Sequence, residues 1–123
     1  MKSAVVIPTY NEKENIELLI GRILGICPNI IVIIVDDDSP DGTSQIVREM
    51  AENDNRIHLI CRKQDKGRGR AGVEGFKYAL GIGADCVVEM DGDLSHDPKF
   101  IPDFLSAIRD YDVVIGSRFV KGG

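Results

Sequence analysis

Short apolar runs alternate with amphipathic segments along this chain, and the alternation predicts strands and helices in turn. Five runs are too short for helices and are predicted strands: Ser3–Pro8, Ile30–Val35, Ile57–Cys61, Cys86–Met90 and Asp112–Gly116. Between them, apolar residues three and four apart predict helices that start near Glu14, Asp41, Val73 and Pro98. Strands that alternate with helices form a parallel sheet covered on both faces. We therefore predict an α/β fold, a three-layer sandwich with a mainly parallel, doubly wound, Rossmann-like sheet of about five strands.

The helix ends are predicted from residue types that commonly cap helices. Asn11 is the expected cap of the first helix, and Asp41 or Ser39 is the expected cap of the second. Pro98 is expected near the first turn of the last helix. The segment before Val73 reads RKQDKGRGRAG, and its charge and glycine content are typical of a loop.

Length and composition describe one soluble domain over residues 1–123. The chain has 123 residues, 43% of them hydrophobic, which is enough for a core. Its net charge of -5 excludes a basic footprint for nucleic acid. The three cysteines have no metal-ligand spacing, so we expect buried free thiols in a reducing cytoplasm. The longest apolar run, residues 30–35, is too short to span a bilayer.

Polar segments follow every predicted strand, whereas the turns that precede the strands are ordinary connectors. The five segments are PTYNE, DDDSPDG, RKQDKGRGR, DGDLSHD and SRFVKGG. In open parallel sheets, ligands bind beyond the carboxyl ends of the strands, where the strand order reverses. The sequence therefore predicts a binding site along one edge of the sheet.

Asp91 and Asp93 are the strongest chemical feature at that edge. The D-x-D spacing alone is weak, because it occurs at 36/38, 91/93 and 110/112. At the end of an extended strand, however, both carboxylates face the same way, and Gly92 lets a ligand approach the backbone. Such a pair suits Mg²⁺ or Mn²⁺ bound together with substrate phosphates. A solvated strand end, with Asp97 as the cap of the next helix, explains the same residues and stays open.

Two other folds that bind nucleotides or carry phosphate match parts of the sequence. Residues 67–72, GRGRAG, fit the G-x-G-x-x-G pattern of dinucleotide binding. Asp91 follows them at a sequence separation that suits an acidic residue bound to the ribose. That fingerprint requires a tight turn directly after a strand, but RKQDK intervenes. A phospho-acceptor receiver domain would need an acidic pair after the first strand, where this chain has PTYNE.

Four segments together resemble the family 2 glycosyltransferases with the A-type nucleotide-sugar fold. They are VVIPTYNEKENI, IIVDDDSPDGT, EMDGDLSHDPKFIP and DVVIGSRFVKGG. Within that family they most resemble polyprenol-phosphate (dolichol-phosphate) mannosyltransferases, and DLSHDPKFIP and SPDGT are specific to this branch. The resemblance implies metal-dependent, inverting transfer of mannose from GDP-mannose to a polyprenol phosphate. It also implies a truncated nucleotide-diphospho-sugar transferase fold, because relatives continue with an acceptor-binding half.

The resemblance also implies roles for matching positions. Asp93 and Arg118 would be catalytic, and Asp91, Asp93 and Ser95 would hold Mg²⁺ or Mn²⁺. The nucleotide sugar would be bound by a larger set: Pro8, Tyr10, Glu12, Val35, Asp37, Met90, Asp91, Gly92, Asp93 and Arg118. Of the three consecutive aspartates after the second strand, Asp37 is expected to accept from the base. Asp36 and Asp38 are expected to be loop-capping and solvated.

The resemblance leaves several questions open. Relatives usually have G-L-G-[ST]-A where this chain has GRGRA at 67–71, which adds Arg68 and Arg70 near the phosphates. Two alternative functions stay open. One is a polyprenol-phosphate glycosyltransferase that uses a UDP-hexose donor, and the other is a nucleotide-binding module that is inactive alone. The fifth strand would lack its usual neighbour, so its open edge predicts pairing with a second copy. Full-length relatives are expected to act at the cytoplasmic face of a membrane.

Overall fold

The computed structural model describes residues 2–63, 68–92, 98–107 and 113–115. In chain order the elements are β1 (Ser3–Thr9), α1 (Lys13–Ile26), β2 (Ile31–Asp36), α2 (Thr43–Asn53), β3 (Ile57–Cys61), α3 (Arg68–Gly81), β4 (Cys86–Glu89), α4 (Phe100–Ala107) and β5 (Val113–Ile115). All five predicted strands are confirmed, because short apolar runs between turn residues mark buried strands well.

The five strands form one parallel sheet in the order β3-β2-β1-β4-β5. The order reverses at β1, which lies between β2 and β4. This arrangement confirms the doubly wound α/β fold and places the switch point beside the ends of β1 and β4. In the described sheet β5 lies at one edge, and its pairing with a second copy stays a prediction.

Alternate residues of the central strands supply two separate cores. Val5 and Ile7 pack in one core with α1, α2 and α4, whereas Val6 and Val35 pack in the other with α3. Every residue of β1 is buried, because helices cover both faces of this strand. The helices above and below the sheet therefore make the predicted three-layer sandwich.

Helix α3 begins at Arg68, five residues before the predicted start at Val73, so the expected glycine-rich loop is partly wrong. Gly72 and Gly75 of this helix allow close packing on the sheet. Ala71, Gly75 and Ala79 recur every four residues and are all buried against the sheet. Gly69 and Gly72 also lie within the helix, not in a turn between strand and helix. This placement counts against the dinucleotide-binding alternative.

Two expectations from composition are tested by burial and by helix length. The three cysteines are free, but only Cys86 is buried, while Cys27 and Cys61 are half-buried. Burial raises the pKa of the Cys27 thiol. Among the helices that the structure describes, none combines the length and apolar character needed to cross a membrane.

Asp54 and Arg56 form a forked ion pair in the turn between α2 and β3. Arg56 Nη2 lies 2.6 Å from Asp54 Oδ2, and Arg56 Nε donates to Oδ1 at 2.9 Å. These bonds, together with the Arg56 backbone N–H, lower the pKa of Asp54 to about 2.

We expect Arg56→Gln to return the pKa of Asp54 toward its ordinary value of about 3.9. The folded-state pKa is depressed, so the contribution of this pair to stability is complete above about pH 4 and is lost as pH falls through about 2. Carbon-detected NMR titration of the Asp54 carboxyl measures both values. An unchanged midpoint in Arg56→Gln would show that the guanidinium is not the cause.

Candidate functional site

The carboxyl ends of β1, β2 and β4 lie side by side. Thr9 is paired with Asp36 in the sheet register, and the Asp37 N–H donates to the Thr9 carbonyl at 3.1 Å. On the other side, the Met90 N–H donates to the Val6 carbonyl at 3.0 Å. One edge of the sheet therefore carries eight of the predicted site residues: Pro8, Tyr10, Glu12, Val35, Asp37, Met90, Asp91 and Gly92.

Gly92 brings the loop after β4 into contact with the loop after β1. A Cβ at position 92 would lie 3.1 Å from Thr9 Cγ2 and 3.4 Å from Glu12 Cγ. The neighbouring Asp91 is half-buried at the same strand end. Glycine at 92 therefore permits close packing of the two loops. This is a second reason for glycine at this position, beside the predicted approach of a ligand to the backbone. It also fixes the start of the acidic segment beside Glu12.

The predicted site residues differ in what they expose. The Tyr10 side chain is 54% exposed and can contact a ligand directly. Val35 and Met90 are buried at 0% and 3% exposure, and Pro8 is buried with the rest of β1. Contacts from these three residues would have to come largely from main-chain atoms, while their side chains support the floor of the site.

Asp36 is buried at the centre of a hydrogen-bond network, so the expectation that it is solvated is wrong. Its side chain has 0% exposure. Oδ1 accepts the hydroxyls of Thr9 and Ser39, both at 2.6 Å, and Oδ2 accepts the Ser39 N–H at 2.9 Å. Three charge-assisted hydrogen bonds compensate for burying the carboxylate. Asp38, by contrast, is exposed, as predicted.

Asp37 and Arg62 form an ion pair at the same edge. Arg62 Nη1 lies 3.7 Å from Asp37 Oδ1, and the two side chains are only 4% and 11% exposed. The Arg62 N–H also donates to the Asp36 carbonyl at 2.8 Å. Sequence reasoning did not single out Arg62, although it is the first residue after β3 and therefore lies at the predicted edge.

The start of α1 is capped from another part of the chain, so the expectation that Asn11 caps it is wrong. The capping position is Glu12, which makes no side-chain cap bond, and Asn11 adopts a left-handed backbone with φ 56°. Instead, side chains of the β2–α2 loop and of the first residue of α2 accept the N–H groups of Asn11, Glu12 and Lys13.

Asp41 bonds to both helices that meet at this edge. Its carboxylate accepts the N–H groups of Lys13 and Thr43, each at 3.0 Å. Desolvation acts to raise the pKa of Asp41, but the bonds from Thr43 and Lys13 outweigh it and leave the pKa below its ordinary value. The prediction that Asp41 or Ser39 caps α2 is wrong, because Gly42 holds the capping position, although Asp41, the residue before it, accepts the Thr43 N–H.

Several predicted site residues lie outside the described residues: Asp93, Ser95 and Arg118, together with the predicted cap Asp97. Within the described ranges, no group of three or more potential metal-ligating side chains occurs. The described part of the predicted metal site is Asp91, a hard oxygen donor of the kind that Mg²⁺ and Mn²⁺ accept.

Comparison with known proteins assigns this chain to a family. Residues 4–123 match the sequence model of the family described as Glycosyl transferase family 2. The chain belongs to this family. Its sheet, its order reversal and its polar edge therefore represent the A-type nucleotide-sugar fold predicted from the sequence.

Curated relatives narrow the resemblance. The chain is 44% identical to undecaprenyl-phosphate mannosyltransferase of Micrococcus luteus, over 100% of this chain and 51% of that protein. It is 43% identical to polyprenol monophosphomannose synthase of Mycolicibacterium smegmatis, over 99% of this chain and 47% of that protein. It is 44% identical to dolichol-phosphate mannosyltransferase of Pyrococcus furiosus, over 100% of this chain and 35% of that protein. The chain thus spans about half or less of these relatives.

Solved structures share the fold. Mannosyltransferase PcManGT from Pyrobaculum calidifontis, in complex with GDP-Man and Mn²⁺, matches with a TM-score of 0.74 and 26% identity, over 89% of this chain and 33% of that chain. S. aureus TarS in complex with UDP matches with a TM-score of 0.65 and 26% identity, over 90% of this chain and 33% of that chain.

Proposed function

We propose that this chain forms the donor-binding half of a metal-dependent, inverting glycosyltransferase that transfers mannose from GDP-mannose to a polyprenol phosphate. The observation that carries the proposal is the meeting of three strand ends, where Gly92, next to Asp91, lies against Thr9 and Glu12. The Asp37 N–H donates to the Thr9 carbonyl at the same place. The names of the three relatives support mannose and a polyprenol phosphate as substrates. The PcManGT complex supports GDP-mannose with Mn²⁺.

Three described residues have direct roles in this proposal: Tyr10, Asp37 and Asp91. The exposed Tyr10 ring packs against the nucleoside, and Asp37, held beside Arg62, accepts hydrogen bonds from the base. Asp91 and Asp93 hold the cation near the diphosphate. The cation and Arg118 would stabilise the negative charge that develops on the leaving diphosphate. The acceptor phosphate is already anionic and needs little activation by a base.

A UDP-sugar donor is the second candidate, and the likeness to TarS with UDP favours it. A carboxylate such as Asp37 can accept N–H groups from guanine or from uracil. A nucleotide-binding module without transfer activity is the third, since the chain spans only part of its relatives. The three differ in base preference and turnover, so binding and transfer must be measured separately.

Calorimetry with GDP, UDP and NAD, each with and without Mn²⁺, tests the proposal. We expect GDP to bind only with Mn²⁺, and Asp91→Asn to weaken that binding about 100-fold, or about 2.7 kcal/mol. Asp103→Asn is the control, because Asp103 is an exposed carboxylate on α4 and is not among the predicted site residues. UDP binding in preference to GDP would transfer the assignment to the second candidate, and binding of NAD without metal would overturn the proposal.

A further inference from the structure

Three consecutive backbone N–H groups at the start of α1 donate to two side chains of the β2–α2 loop and to that of Thr43, the first residue of α2. The Asn11 N–H donates to Ser39 Oγ at 2.9 Å, and the Glu12 N–H donates to Thr43 Oγ1 at 3.0 Å. The Lys13 N–H donates to Asp41 Oδ2 at 3.0 Å. The first N–H groups of a helix are usually bonded by a local capping side chain. Here SPDGT, residues 39–43, caps α1 from a distant position in the chain.

The same loop is anchored to the sheet by a buried carboxylate. The Ser39 hydroxyl accepts the Asn11 N–H and donates to Asp36 Oδ1, which also accepts the Thr9 hydroxyl. Thr43 is likewise fully buried and donates to Asp41 Oδ1. The loop after β1 is therefore bonded to the loop after β2 both at the strand ends and at the helix start.

These bonds hold the β1–α1 loop in a conformation that a free chain would rarely adopt. Asn11 has φ 56°, in the left-handed region, which residues other than glycine occupy rarely and asparagine more often than most of them. Its two chain neighbours are Tyr10, which is exposed, and Glu12, which contacts the position of Gly92. Release of the Asn11 and Glu12 N–H groups would let this backbone relax and move both side chains.

We propose that Ser39, Asp41 and Thr43 are positioning residues for nucleotide binding, which act by fixing the backbone of residues 10–12. This inference rests on the proposed function, in which Tyr10 packs against the nucleoside, and on the family resemblance, which implies that Glu12 binds the nucleotide sugar. The three N–H groups are bonded within the chain, so the loop residues influence affinity through the geometry of Tyr10 and Glu12. A small displacement of groups that position a substrate is enough to weaken its interactions strongly.

Thr43→Val tests the inference, because it removes the hydroxyl and keeps the shape of the side chain. Calorimetry with GDP and Mn²⁺ at a temperature where every variant is folded should show about tenfold weaker binding in Thr43→Val and in Ser39→Ala. Thr43→Ser keeps the hydroxyl and should bind GDP as the unchanged chain does. Ser44→Ala is the matched control, since it removes a hydroxyl from the next residue of α2.

Amide hydrogen exchange reports the cap without reference to any nucleotide. The Glu12 N–H should exchange about tenfold faster in Thr43→Val than in the unchanged chain or in Ser44→Ala. If that exchange increases while GDP affinity matches the Ser44→Ala control, the cap is structural only and the positioning role is overturned. If the exchange does not change, the cap itself is overturned. If the exchange increases but the unchanged chain does not bind GDP with Mn²⁺, the proposed function fails and the positioning role fails with it.

Discussion

Gly75→Ala is expected to lower the free energy of unfolding by about 3 kcal/mol, at the upper end of what overpacking a core costs. A Cβ at position 75 would lie 2.2 Å from Val6 Cγ1 and 3.2 Å from Val35 Cγ2. Both valines are fully buried, and β-branched side chains cannot easily turn away. Helix α3 would have to move off the sheet, which would open gaps along its packed face. Urea unfolding followed by circular dichroism measures the change.

Two controls separate this clash from the general effect of adding a methyl group. Gly21 lies inside α1, and a Cβ there meets no other atom within 4 Å. Gly21→Ala should therefore raise stability by about 0.5–1 kcal/mol, as alanine favours a helix over glycine. Val6→Ala removes the methyl groups that the new Cβ would strike. The double variant, Gly75→Ala with Val6→Ala, is compared with the two single variants. If it lost more free energy of unfolding than the two single variants lose together, the clash would not be the cause.

Local patterns predicted the strands of this fold more accurately than its helix starts. A buried parallel strand is a short β-branched run, and this property is visible in neighbouring residues. The start of α3 was missed because glycine is normally read as a loop former. At Gly75 and Gly72 the reason for glycine lies on other elements, in the side chains of Val6 and Glu89. A pattern along one segment does not contain that information.

The acidic residues show the same limit in the candidate site. Asp36, Asp37 and Asp38 are identical in sequence, but only Asp38 is exposed. The strand end predicted that chemistry would lie there, yet the burial of Asp36 depends on Thr9, 27 residues away. The bonds that Ser39, Asp41 and Thr43 make at the start of α1 also span distant residues. A rule that searches adjacent positions selects Asn11 instead.

Arg62→Met is expected to destabilise the chain by about 3 kcal/mol, because removing one partner of a buried ion pair is strongly unfavourable. Arg62 Nη1 lies 3.7 Å from Asp37 Oδ1, and both side chains are nearly shielded from water. Methionine keeps much of the volume but removes a positive charge beside a buried carboxylate. Lys63→Met is the matched control, since Lys63 is the next cation and is exposed. It should change the free energy of unfolding by less than about 0.5 kcal/mol.

The double variant Arg62→Met with Asp37→Asn shows whether the pair acts as a unit. Replacing both charges should be less destabilising than the sum of the single changes. Each single change leaves the opposite charge buried without its partner, whereas the double variant removes both charges. GDP binding adds a second measurement. If Asp37 accepts N–H groups from the base, Asp37→Asn should lower GDP affinity, since the amide nitrogen of asparagine cannot accept an N–H group. The same loss is expected in the double variant, where Arg62→Met restores stability. If the losses in free energy of unfolding were additive, they would contradict the coupling. Unchanged GDP affinity in Asp37→Asn would remove Asp37 from the base site. The ion pair would then be a purely structural contact between the ends of β2 and β3.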